Sequence, residues 1–111
     1  MVHHEMNVQE PWYSAISSGK KTVEGRLNKG KSAALEVGDT ITFSNGDKSV
    51  KVRIVKITHH KSFANMMRYH GLRRVLPGIP SISEGVSVYR RFYSEADEKE
   101  YGVRAIVIRR V

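Results

Sequence analysis

Cysteine is absent from this chain, which removes a disulfide framework, a thiol nucleophile and every zinc site built on thiolates. Packing alone must hold the fold. Proline is scarce, at 3 residues, and no low-complexity stretch or internal repeat divides the sequence, so nothing reads as a linker. Long apolar runs are missing too: none approaches the roughly 18 residues that cross a bilayer, and the N-terminus lacks the apolar core of a signal peptide. A soluble, cytoplasmic protein with no membrane partner is therefore expected. Acids are few, 11 against 19 lysines and arginines, and the net charge of +8 attracts polyanions from a distance. Nucleic acid is the first partner this suggests, although an inert basic surface would have the same charge. The 111 residues suit one compact domain spanning 1–111.

What is present reads as a mixture of short strands and short helices. "EPWYSAISSG" predicts a helix with Pro11 in its first turn, Trp12, Ala15 and Ile16 on one face, and Gly19 as its stop. "KTVEGRL" alternates as a strand, with Lys21, Val23, Gly25 and Leu27 opposite Thr22, Glu24 and Arg26. "DTITF" is a second strand, Asn45-Gly46 a hairpin turn, and "SVKVRIVKIT" the return strand. Its apolar face switches midway, which predicts a bulge or a coiled barrel strand. Ser62 is positioned to cap a helix through "FANMMRYHG", and "LPGIPS" reads as a loop. "SEGVSVYRRFYS" predicts a helix that turns Tyr89, Phe92 and Tyr93 inward and Arg90 and Arg91 to solvent. A polar turn ends at Gly102, and "VRAIVIRRV" is a buried strand. The fold class is α+β, a small curled sheet or barrel with helices at its ends.

Three constellations bear on chemistry. The densest is "GKKTVEGRL", where Lys20, Lys21 and Arg26 are cations suited to phosphate and Glu24 is a carboxylate suited to proton transfer or a metal. On spacing alone, a Glu24–Arg26 pair across the pleat is the simpler reading. The histidine pairs His3-His4 and His59-His60 cannot chelate one ion, because neighbours on a strand point to opposite faces. No metal site is expected of them; the first pair falls in a mobile terminus and the second ends a strand. "YRRFYS" interleaves arginines with aromatics, as do modules that stack bases, and Trp12 beside the charged turn has the same potential.

The stretch "PWYSAISSGKKTVEGRL" resembles the opening of ASCH domains, whose hallmark Gly-x-Lys-x-x-Glu-x-Arg falls here on Gly19, Lys21, Glu24 and Arg26. The likeness extends through "LEVGDTITF", "VLPG", "EGVSVYRRFYS" and "YGVRAIVI". It implies a PUA-like fold, a small mixed β-barrel with flanking short helices and a cleft beside the motif strand. It also implies a site in which Lys21, Glu24 and Arg26 are catalytic if the protein is a ribonuclease, with a divalent metal needed only in that case and no other cofactor. Trp12, Lys20, Lys21, Arg26 and Arg90 are the expected contacts to RNA or a modified nucleoside. A branch of relatives acts as amidohydrolases on N4-acetylcytidine through a Lys-Thr-x-Thr motif. This chain keeps Lys21 and Thr22 but has Glu24 in place of the second threonine, leaving Thr22 as the available nucleophile and Glu84 as a candidate for the distant acid. RNA binding ranks ahead of that activity.

Overall fold

The computed structural model describes residues 1–111. Its five strands are β1 (His3–Asn7), β2 (Val23–Leu27), β3 (Thr40–Asn45), β4 (Lys48–His60) and β5 (Val103–Arg110), hydrogen-bonded in the order β1-β3-β4-β5-β2. β1 runs parallel to β3 and the other neighbours are antiparallel, so the sheet is mixed. It curls into a half-barrel whose two edges are β1 and β2.

Long β4 must serve both halves of the curl, and its bulge is where the sequence places the switch of faces. The register against β5 slips between Ile54 and Lys56, leaving Val55 as the extra residue. Val52 and Ile54 before the slip and Ile57 after it therefore pack on the same side. β5 lies between β4 and β2 and is buried on both faces, which accounts for its almost unbroken apolar run. Ile106 and Ile108 face one core with Phe43, Ile41 and Leu35; Val103 and Ala105 face a second with Phe63, Met66 and Tyr89. Trp12 packs against both cores.

Six short helices flank the sheet: α1 (Trp12–Ser17), α2 (Gly30–Ala33), α3 (Phe63–His70), α4 (Leu72–Val75), α5 (Ile82–Arg90) and α6 (Glu95–Tyr101). Ser62, Ser81 and Ser94 each cap a helix by accepting a backbone N–H three residues on. At α1 the capping carboxylate is Glu10, which accepts from both the N–H and the hydroxyl of Ser14, while Pro11 precedes the helix.

Several expectations are corrected. The N-terminal histidines are not in a mobile tail: His3 and His4 belong to β1, and His4 is 2.8 Å from Asp39. The motif strand starts at Val23, not at Lys21. α5 stops at Arg90, so Phe92 is not turned inward but is 49% exposed. The stretch from Leu72 to Val75 adds a helical turn that no periodicity announced, and the polar segment before Gly102 is the seven-residue α6.

Candidate functional site

The segment entering β2 is tied down on three sides. Lys21 N–H donates to Ala15 O of α1, Thr22 N–H to Arg74 O of α4, and Thr22 O accepts from Ile108 of β5. With its backbone so fixed, the Lys21 side chain turns under the strand. Its Nζ donates to the carbonyls of Val23 and Val75 and lies 3.4 Å from Glu24 Oε1. Two carbonyls and a carboxylate match the three N–H donors of an ammonium. Burial pushes the Lys21 pKa down, and Glu24 offsets part of that effect. Lys21 is 2% exposed, so its donors are spent inside the protein.

Glu24 and Arg26 point to the same side of β2, as alternation requires, and Arg26 Nε is 2.9 Å from Glu24 Oε2. Burial alone would raise the Glu24 carboxyl, but Arg26 and Lys21 outweigh it and hold the group below the ordinary carboxylate range. Arg26 Nη2 also reaches the carbonyl of Asn7, 3.2 Å away at the end of β1. One guanidinium thus spans the gap between the two edge strands of the half-barrel. Nη1 makes no such bond and remains available.

That gap is an open cleft of ≈ 400 Å³, within the range of about 300–1,000 Å³ usual for small-ligand sites. Its charged wall is Lys21, Glu24 and Arg26; the end of β1 and the β3–β4 hairpin supply Asn7, Gln9, Ser44 and Asn45. Trp12, Tyr89, Phe92 and Tyr93 add four aromatic rings. The Lys21 ammonium lies 5.8 Å from the Trp12 ring centroid. Tyr89 stacks on Phe63 at 4.1 Å, and its buried hydroxyl has no hydrogen-bond partner. Burial, reinforced by the Glu24 charge, raises the Tyr89 pKa and keeps the phenol protonated. Gly25 leaves room for this ring, since a Cβ there would sit 2.9 Å from Tyr89 Oη.

The cleft therefore gathers Trp12, Lys21, Glu24 and Arg26, but not every residue the sequence singled out. Lys20 is exposed beside the cleft without lining it. Arg90 is drawn to Glu98, with Nη2 2.6 Å from Oε1, while the other Glu98 oxygen accepts the Phe63 N–H at the start of α3. Thr22 lines a separate depression, and Glu84 is an exposed residue of the first turn of α5. Sequence reasoning missed Asn7, Gln9, Asn45 and the Tyr89 hydroxyl, because their placement depends on how the sheet edges approach each other. Glu24 is the one carboxylate lining the cleft and both its oxygens face cations, so the donor set does not fit a divalent metal.

Among curated proteins none matches the chain. Solved structures do. The hypothetical protein PH0355 is 44% identical, with 98% of this chain and 99% of that one covered and a TM-score of 0.91. PF0455 from Pyrococcus furiosus is 45% identical, with 98% and 97% covered and a TM-score of 0.83. An ASCH protein from Zymomonas mobilis shares the fold at 18% identity, with a TM-score of 0.56, 95% of this chain and 65% of that one being covered. The family model of the ASCH domain matches residues 6–111. With Lys21, Glu24 and Arg26 of the motif on the cleft wall and that match spanning almost the whole sequence, the chain belongs to the ASCH domain family, a generally RNA-binding family.

Proposed function

We propose that the cleft between β1 and β2 binds one unpaired nucleotide of a single-stranded RNA. The observation that carries this reading is a half-used guanidinium and an ionised carboxylate on one wall, facing four aromatic rings. Single-stranded RNA is recognised in this way, by stacking splayed bases on aromatics while arginines neutralise phosphate. Arg26 Nη1 holds the phosphate. Glu24 accepts from an N–H on the base edge, and the Tyr89 hydroxyl donates to an acceptor on the same ligand. Trp12 and the exposed Phe92 stack the base.

Lys21 is a positioning residue in this scheme, because its ammonium is buried on Val23, Val75 and Glu24. Binding is favoured over cleavage by the state of Glu24: a carboxylate held below its ordinary pKa is a weak general base at neutral pH. Amide hydrolysis of a modified nucleoside is disfavoured because Thr22 and Glu84 both lie off the cleft.

The test is fluorescence anisotropy with a labelled 12-nucleotide RNA, comparing wild type with Arg26→Gln and Phe92→Ala. Each variant is expected to weaken binding about tenfold, the cost of one charge-assisted hydrogen bond or one stacked base. Phe92→Ala is the cleaner probe because the ring is exposed. Unchanged affinity in both variants would count against the cleft. RNA shortened during incubation by wild type, but not by Glu24→Gln, would replace binding with cleavage as the main activity.

A further inference from the structure

On the far side of Lys21 from the cleft lies a second depression, of ≈ 180 Å³, and we propose that it holds a phosphate of the RNA backbone adjoining the nucleotide in the cleft. Gly19, Thr22, Arg109 and Arg110 form its walls over an apolar floor that includes Ile16 and Ile108. No carboxylate lines it. The ion pairs of the molecule, at His4, Lys21, Arg26 and Arg90, leave both arginines out. Arg110 is held in place by donating from Nη1 to Ser17 O at the end of α1, 2.8 Å away. Its guanidinium lies over Gly19, where a Cβ would meet Nη2 at 3.1 Å, and glycine also suits the local φ of 85°. Arg109, the preceding residue of β5, leaves the strand on the opposite face, is exposed with no side-chain hydrogen bond, and borders the depression from that side.

More positive charge adjoins this site. Lys20 sits between Gly19 and Lys21, both of which line the depression, and is exposed. Arg109 and Arg110 therefore border one depression with a hydroxyl at its edge, and Lys20 lies next to it in the chain. Uncompensated cations so close repel one another, and an anion relieves that repulsion. Both depressions include Lys21, so the connecting sugar would cross the short segment from Lys20 to Thr22. Lys20 contacts RNA from here and not from inside the cleft.

The proposal takes the identity of its polymer from the cleft reading, but its failure is distinguishable. Wild type and the Arg109→Gln/Arg110→Gln double variant are titrated with AMP, read by quenching of the sole tryptophan, Trp12, and with the labelled 12-nucleotide RNA across a salt series. The double variant should bind AMP as wild type does, bind the 12-mer about tenfold more weakly, and lose about 0.7 from the slope of log affinity against log salt, as one fewer phosphate neutralisation requires. An unchanged 12-mer affinity and slope overturn the proposal. Failure of AMP to quench Trp12 sinks the cleft reading alone, provided the variant still loses RNA affinity. Inorganic phosphate separates backbone from free anion: displacement of the 12-mer from wild type far beyond that by chloride of equal ionic strength would mark a small-anion site and overturn the backbone assignment. Arg109→Gln alone, which removes no internal side-chain contact, should lose part of that slope if the double variant fails to fold.

Discussion

At the scale of the residue, Tyr89 gives the sharpest separation of stability from binding. Its hydroxyl is buried without a partner, a condition that costs about 1–3 kcal/mol. Tyr89→Phe removes the unpaired group and keeps the ring on Phe63. The variant should be about 1 kcal/mol more stable, raising Tm by about 4 °C, while its affinity for a mononucleotide falls. A Tm that drops would mean the hydroxyl has a partner in solution. Lys21→Ala should behave in the opposite sense. Removing the buried ammonium strands Glu24 and two carbonyls, and urea unfolding should register a loss of about 3 kcal/mol or more. Gly25→Ala inserts a methyl group 2.8 Å from Met66 and 2.9 Å from Tyr89 Oη. Met66 can yield but the stacked Tyr89 ring cannot easily, so a loss of about 1–3 kcal/mol is expected in the same assay. The motif spacing made Lys21, Glu24 and Arg26 visible in advance because a charged trio within six residues at the start of a strand is a local pattern. Their division of labour was not visible. That Lys21 is spent on backbone carbonyls depends on Val75, which lies 54 residues away.

At the scale of the element, local patterns that end in a turn or a cap were legible and edges were not. The switch of apolar faces in "SVKVRIVKIT" announces the Val55 bulge, and Ser62 announces the start of α3. β1 was hidden because its five residues, His3 to Asn7, carry only one buried apolar side chain, Met6; the strand exists through parallel pairing with β3 and not through its own pattern. Arg104 was likewise hidden: it is buried in β5 and donates to the carbonyls of Ser32 and Leu35, fastening α2 to the sheet. The ends of β4 and α3 meet where Thr58 Oγ1 lies 2.7 Å from Nε2 of both His60 and His70. Burial depresses the pKa of both imidazoles; a neighbouring imidazole adds to this in each case, with Lys56 and Arg74 acting on His70 as well. A histidine with a depressed folded pKa gives up stability as pH falls below the unfolded value of about 6.5, because the unfolded chain takes the proton more readily. Thermal melts should show Tm falling between pH 7 and 5, and His60→Gln/His70→Gln should flatten that fall. Partial exposure of both rings keeps the effect modest.

At the scale of the molecule, charge and curvature act together. Four of the acids, Glu95, Asp97, Glu98 and Glu100, are concentrated on α6, whereas the arginines at the end of β5 and on α4 have no ion-pair partner. The excess of +8 is thus unevenly spread, which favours approach of a polyanion from one side. Raising salt from 50 to 200 mM should weaken the 12-nucleotide RNA markedly while leaving an uncharged nucleoside almost unaffected. The half-barrel leaves its own edges, β1 and β2, as the walls of the cleft, and Arg26 bridges them. Composition and motif identified the charge and the fold class; the closeness of the two edges, on which the cleft depends, is a property of the whole sheet.

The most direct measurement of the central claim is the amide chemical-shift response of the protein to a short single-stranded RNA. The account predicts that the largest changes fall on Lys21 to Arg26, on Asn7 and Gln9, on Ser44 to Gly46 and on the Trp12 indole, all around the cleft between β1 and β2. Saturable binding in which these signals stay still, and the responding amides lie elsewhere on the surface, would contradict it.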